Sequence, residues 1–269
     1  MPRAVFPFPG GKGHLASWIT DHFPEHTCYV EVFGGAAGVL FNKPRSDVEI
    51  YNDRDRDLVQ FFEVLRERRE ELVEWLDAVP YSRDLHDDWA GAFYNGYRST
   101  DDIERAGQFF YLRYAQWGSK YDSPSGFATS KTRAQSATYQ NKLERLEEFA
   151  DRLDGVTIEG LDWTELIEKY DSDETVFYCD PPYQSTQDYY PVGGIDHERL
   201  VETLTEIEGD ALFSSDEVVY DMEALHVEAR DAKFYIGDGV RGEAKDVKEL
   251  LAMNFDPEEH DTWKESAEA

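Results

Sequence analysis

The chain has little of what staples or metallates a fold. Its 269 residues include two cysteines, Cys28 and Cys179. Each lies beside apolar, strand-like residues, which reads as a core thiol and not as a disulfide or catalytic group. No cysteine or histidine spacing matches a zinc site; His22 and His26 have helical spacing, but Pro24 between them favours a turn. Long apolar runs are absent, so nothing reaches the roughly 20 residues that span a bilayer. Pro2 and Pro7 exclude the apolar helix of a secretory signal from the opening stretch. A soluble, intracellular, metal-free protein with no membrane partner is expected, with a cytoplasmic location.

Positive charge is the other scarcity. Lys and Arg number 27 against 57 Asp and Glu, a formal net charge of −30. Disorder would explain so acidic a chain, but 14% aromatic residues and clear apolar segments argue against it. The acids are spread along the whole length, which reads as a solvated surface adapted to very high intracellular salt, as in a halophilic host or its virus. At molar salt the Debye length falls to ~3 Å and most of the self-repulsion is screened. A mimic of nucleic-acid charge is the minor alternative, and a mimic needs no ligand-binding core.

What the chain does contain is an alternation of strand-like and helical segments. Residues 27–33 and 48–51 read as strands, and 13–23 as a helix. The stretch 56–150 is mostly helical and richer in aromatic, Arg and amide side chains. Beyond it, 156–158, 176–179 and 211–214 read as strands, 197–207 as a helix, and 245–255 as a closing strand preceded by a mobile glycine loop at 237–239. Such alternation implies a parallel α/β sheet, with the central block inserted as a separate module. The expected organisation is a catalytic domain from 1–55 and 151–255, a module at 56–150, and an acidic, fraying tail at 256–269.

The most informative segment is Asp180-Pro181-Pro182-Tyr183. It follows an apolar run that reads as a buried strand, and two prolines forbid continuation. The strand therefore ends on a carboxylate, a rigid backbone and an aromatic ring, at the sheet edge where ligands bind in open parallel sheets. Two acceptors beside a flat face suit a planar ring carrying an exocyclic amino group.

Near the start, residues 30–40 read as a strand, a glycine turn at Gly34-Gly35 and a helix start. Glycines there let backbone approach a ligand, and Asp53 lies at the offset expected of a ribose-binding carboxylate. Gly10-Gly11-Lys12 sits in a glycine loop but lacks the phosphate-loop spacing. Lys12 could instead meet a carboxylate, such as the amino-acid end of a cofactor.

Taken in order, Phe-x-x-Pro-Gly-Gly-Lys (Phe6 to Lys12), Glu-x-Phe-Gly-Gly (Glu31 to Gly35), Asn52-Asp53, Asp162-Trp163 and Asp180 to Tyr183 resemble the Dam-type DNA adenine N6-methyltransferases. The resemblance implies a Rossmann-like class I methyltransferase sheet, S-adenosylmethionine as cofactor, and a mainly helical target-recognition module. It implies that Lys12, with Gly11, Glu31 and the Phe33-Gly34-Gly35 turn, holds the methionine end, and that Asp53 binds the ribose. Asp162 would take the adenine amino group with Trp163 beside the ring, and Phe6 and Phe8 would line the pocket. Asp180, Pro181, Pro182 and Tyr183 would be catalytic, with Asp180 also facing the cofactor; Ser215 and Asp216 would support the target-base pocket. Double-stranded DNA is the expected partner, read through Arg113, Lys120, Lys131 and Arg133, with Tyr121 filling the stack vacated by a flipped base. A restriction endonuclease is a further expected partner if the chain serves in modification. The alternatives are cytosine N4 transfer and a DNA-binding module without catalysis.

Overall fold

The computed structural model describes residues 4–117, 121, 123–183, 194–216, 225–235, 244–260 and 263. Seven strands form one sheet: β1 (Cys28–Glu31), β2 (Val48–Asn52), β3 (Val156–Glu159), β4 (Thr175–Cys179), β5 (Asp210–Ser215), β6 (His226–Tyr235) and β7 (Ala244–Met253). Their order is β3-β2-β1-β4-β5-β7-β6. The five strands from β3 to β5 run parallel, while β7 pairs antiparallel with both β5 and β6. β7 alone is therefore reversed against an otherwise parallel sheet, consistent with the α/β sheet expected.

The central strands are apolar on both faces because both faces are covered; β4 is buried at every position. Side chains alternate across the pleat. Val30, Ile50 and Phe177 face α8 (Trp163–Tyr170) and α9 (His197–Glu206) through Leu166, Ile167, Leu200 and Leu204. Tyr29, Tyr51 and Tyr178 face the opposite layer, which includes α1 (Ala16–Thr20), α2 (Arg56–Glu67) and α7 (Leu146–Leu153).

Between α2 and α7 come α3 (Arg69–Ala78), α4 (Arg83–Tyr94), α5 (Asp102–Ala115) and α6 (Gln135–Leu143). The block at 56–150 is helical, as expected, but it shares its core with the sheet. The Phe62 ring of α2 lies 4.8 Å from Tyr51, and Phe149 of α7 lies 4.9 Å from Phe41. Phe61 stacks on Phe110 of α5 at 5.8 Å, continuing the same apolar cluster outward. Asp57, at the start of α2, accepts from both Arg98 and Arg105 and ties α5 to the sheet layer. On the other side Glu49 of β2 accepts from Lys43 at 2.6 Å and from Arg152 of α7 at 2.6 and 2.7 Å. Buried charges are tolerated when paired in this way.

Three local expectations are corrected. The segment after Gly34 forms successive turns and one 3₁₀ turn (Leu40–Asn42), not a helix. The predicted 13–23 helix is reduced to the five residues of α1 behind a 3₁₀ turn (Lys12–His14). The tail is not wholly frayed: Trp263 is buried, donates its N–H to the Phe23 carbonyl at 3.1 Å, and packs 4.8 Å from the His26 ring and 5.0 Å from Lys43 Nζ. The glycine loop at 237–239 lies outside the described residues.

Candidate active site

The strand order reverses between β1 and β4, where Glu31 pairs in register with Tyr178. That register brings Glu31, the last residue of β1, and Asp180, just beyond β4, to one edge of the sheet. A cleft opens there, partly enclosed and partly open to solvent. Phe8, Gly11, Lys12, Glu31, Phe33, Gly34, Gly35, Asp53, Trp163, Asp180 and Pro182 line it. Segments as distant in sequence as Lys12 and Asp180 thus meet in one cavity.

Gly34 is required by contact. A Cβ there would overlap the Tyr51 ring and lie 2.9 Å from the Asn52 carbonyl, to which the Gly34 N–H itself donates at 2.7 Å. Gly35 has φ +51 and a Cβ would press against the Phe8 ring, so glycine is favoured twice over. The Gly35 N–H donates to Asp53 Oδ2 at 2.8 Å, and the Asp55 N–H donates to Asp53 Oδ1 at 2.7 Å. Asp53 therefore holds the glycine turn, with the Arg54 N–H a further backbone donor to it. Burial, reinforced by Asp55, pushes the Asp53 carboxyl up to about 7.

Glu31 is buried, accepting from the Tyr29 hydroxyl at 2.9 Å and the Leu40 N–H at 2.8 Å. Burial outweighs those bonds and pushes it up to about 7. Asp180 accepts from Lys12 Nζ through Oδ1 at 2.8 Å. Burial raises the Asp180 carboxyl to about 6; Lys12 opposes the rise and Glu249 adds to it. Burial also works against the Lys12 charge, but Asp180 and Glu249 overcome it and hold the ammonium above the ordinary lysine range. The Lys12 ammonium lies 4.6 Å from the centre of the Tyr183 ring, occupying one of its faces.

Other expected residues are placed differently. Lys12, expected at a cofactor carboxylate, is paired with the chain's own Asp180 and Glu249. Asp162 is not among the lining residues; it caps α8, accepting from the Thr164 N–H and hydroxyl, with Arg54 3.6 Å away. Phe6 does not line the cleft either, since it is packed among Phe61, Phe62 and Phe109. Pro181 is buried beside the cleft, and the Pro182 carbonyl accepts from His197 Nε2 at 3.0 Å. Cys179 is a buried free thiol, its ionisation pushed far up by burial.

The DNA-facing expectations divide. Arg113 is 5% exposed and stands over the Tyr121, Phe109 and Phe93 rings, so it has no surface for phosphate. Tyr121 is 2% exposed and lines the cleft, 5.4 Å from Phe8. Both were drawn into the aromatic core by the same ring-rich composition that suggested base stacking. Lys131 and Arg133 are exposed, beyond an antiparallel pairing in which Trp117 N–H donates to the Gly126 carbonyl and Ala128 N–H to Ala115. Lys120 lies outside the described residues.

Sequence reasoning missed Glu249 and His197. Glu249 of β7 is 5% exposed and accepts from the Tyr183 hydroxyl at 2.7 Å. A signal existed: Glu249 shares its strand parity with Leu251 and Met253, both in the core, and a carboxylate on a buried face calls for a partner.

The family model described as D12 class N6 adenine-specific DNA methyltransferase matches residues 8–234. The chain is 27% identical over 199 residues to the DNA adenine methylase of Haemophilus influenzae, covering 69% of this chain and 65% of that protein. It is 24% identical over 216 residues to the DNA N-6-adenine-methyltransferase of Escherichia phage P1, covering 76% of this chain and 28% of that protein. The match thus spans less than two thirds of either relative. A solved conserved hypothetical protein from Streptococcus pyogenes aligns over 91% of this chain and 95% of its own, at 9% identity and a TM-score of 0.39, too loose a likeness to bear on function. The matched stretch takes in the glycine turn, Asp53 and Asp180 to Tyr183, and the chain belongs to the D12 class N6 adenine-specific DNA methyltransferase family.

Proposed function

We propose that the chain transfers a methyl group from S-adenosylmethionine to the N6 amine of adenine in double-stranded DNA. One observation carries this reading: a single cleft joins the Gly34-Gly35 turn and Asp53 to Asp180. The Gly34-Gly35 turn, packed closely on Tyr51, Asn52 and Phe8, forms one wall of the cleft and presents its backbone there. Phe8 and Trp163 offer flat faces to the cofactor's base, and Asp53 offers acceptors to its ribose. Glu31 and Asp180 make the cleft electronegative, which favours a cationic ligand. Bound there, the cofactor would supply an electrophilic methyl group on a sulfonium.

The protein's part is to prepare the amine. Adenine N6 is a weak nucleophile because its lone pair is delocalised into the ring. Accepting one amine proton at Asp180 and the other at the Pro181 carbonyl turns that lone pair out of the ring plane, which is preorganised electrostatic catalysis with positioning. An Asp180 carboxyl near 6 is ionised at neutral pH and able to accept. Tyr183 would stack against the base, which must leave the duplex to arrive there. Lys131 and Arg133 are the exposed cations proposed to meet DNA phosphates.

The test is transfer of labelled methyl from S-adenosylmethionine to duplex DNA at molar KCl, followed by digestion to nucleosides. N6-methyladenine is expected, and Asp180→Asn should lower the rate at least about 100-fold while cofactor binding persists. N4-methylcytosine, or no transfer at any salt concentration, would overturn the reading.

A further inference from the structure

We propose that Glu249 is a positioning residue of the transfer site: it shares Lys12 with Asp180 and anchors Tyr183, so that Asp180 stays free to accept from the target amine. The inference rests on the adenine-transfer reading above.

The geometry is that of one cation divided between two carboxylates. Lys12 Nζ lies 2.8 Å from Asp180 Oδ1, 3.4 Å from Glu249 Oε1 and 3.2 Å from the Gly10 carbonyl. The ammonium donates hydrogen bonds to the Gly10 carbonyl and Asp180, and pairs electrostatically with Glu249. Glu249 Oε1 also takes the Tyr183 hydroxyl at 2.7 Å. A lysine committed to Asp180 alone would hold that carboxylate tightly and dull it as an acceptor. Glu249 draws part of the charge away and fixes the ring on which a base would stack.

Stability does not account for Glu249. Its neighbours Leu251 and Met253 on the same strand face are fully buried, and Glu249 itself is 5% exposed. An apolar residue there would avoid burying a second negative charge beside Asp180, and apolar replacements of buried ionic groups are often neutral or stabilising. The carboxylate is instead retained where Lys12, Asp180 and Tyr183 meet.

Among the described residues, the groups facing Asp180 are Lys12 from the amino-terminal loop, Glu31 from β1, Tyr178 and Cys179 from β4, Tyr183 from the loop beyond, and Glu249 from β7. Asp180 must be ionised to accept, so transfer falls as the pH drops through its pKa. The Glu249 charge raises that pKa, so removing the charge moves the acid limb to lower pH. Glu31 titrates nearby but is common to every variant, and the difference between variants isolates Glu249.

Single-turnover transfer to duplex DNA at molar KCl, from about pH 5 to about pH 9, tests this in the unmodified chain, E249Q and E249D. E249Q keeps the shape and loses the charge. Its acid limb should move down, its plateau rate should fall about tenfold, and its cofactor affinity by equilibrium dialysis should stay within about twofold. E249D should keep the unmodified chain's acid limb. An E249Q limb that does not move overturns the proposal, whatever the rate. Should E249Q fail to fold, Y183F reads the same balance from the other side. With the hydroxyl gone, Glu249 holds Lys12 more closely and the acid limb should rise; an unmoved limb again refutes the idea. No transfer by the unmodified chain would count against adenine transfer itself, whereas a transferring chain with an unmoved E249Q limb counts against Glu249 alone.

Discussion

Lys12 is 5% exposed and lies against two carboxylates. Replacing it with methionine leaves Asp180 and Glu249 facing each other without a cation. Loss of one partner from a buried ionic group costs about 3 kcal/mol, so Lys12→Met should lower the melting temperature by several degrees. Lys12 holds the Asp180 pKa down, so its loss should move the acid limb of transfer up by about one pH unit. That is opposite in sign to the shift expected for E249Q. Asp53 gives a second residue-scale expectation. Its carboxyl carries a proton up to about pH 7, and only the ionised form offers all its oxygens to ribose hydroxyls. Cofactor affinity should therefore strengthen from about pH 6 to about pH 8, and Asp53→Asn should bind more weakly and rise less steeply, the remaining rise coming from Glu31 in the same cleft. Isothermal titration calorimetry would read both.

Among the elements, the contact between α3 and α5 leaves no room for a side chain at Gly107. A Cβ on Gly107 of α5 would overlap the Trp75 indole of α3, which itself stacks 5.7 Å from Trp89 of α4. Gly107→Ala should destabilise the fold by about 1–3 kcal/mol in denaturant titrations, while cofactor binding in the distant cleft is kept. Elements with a strong period were legible in the sequence: β1, β2, β4, β5 and α9 lie within a few residues of where alternation and helical spacing put them. The stop after Cys179 was legible because proline forbids a strand. Less was legible where tertiary contacts decide. β6 alternates polar and apolar residues too weakly to stand out, and the turns after Gly34 look helical in composition but are held open by Asp53 and Tyr51. Arg113 and Tyr121 read as surface groups, because a sequence shows a ring-rich stretch without showing which side chains face inward.

At the scale of the whole molecule, charge governs. Glu31 and Asp53 are raised to about 7, so the folded state holds their protons more firmly than the unfolded chain does. Their contribution is complete below the ordinary carboxylate range near about 4 and is lost as pH rises through about 7. Glu49 and Asp57 behave oppositely: burial works to raise them, but their cationic partners hold them below the usual range. Their contribution stays constant above that range. The cofactor-free protein should therefore melt at a higher temperature near about pH 5.5 than near about pH 8, by calorimetry at fixed salt. A net charge of −30 adds a salt dependence. The melting temperature should climb steeply between about 0.1 M and about 2 M KCl as screening shortens. A melting temperature indifferent to salt would argue against an acidic surface tuned to brine.

β7 sits between β5 and β6 yet follows both in the chain. During synthesis, the glycine turn and Asp180 leave the ribosome long before the strand that carries Glu249. Until β7 docks, β5 presents a bare row of backbone amides and carbonyls, a template for unwanted pairing. A nascent chain halted short of residue 244 would hold both the glycine turn and Asp180 but no closed sheet. Such fragments are expected to be captured by chaperones or to clump, instead of acting as half-strength enzymes.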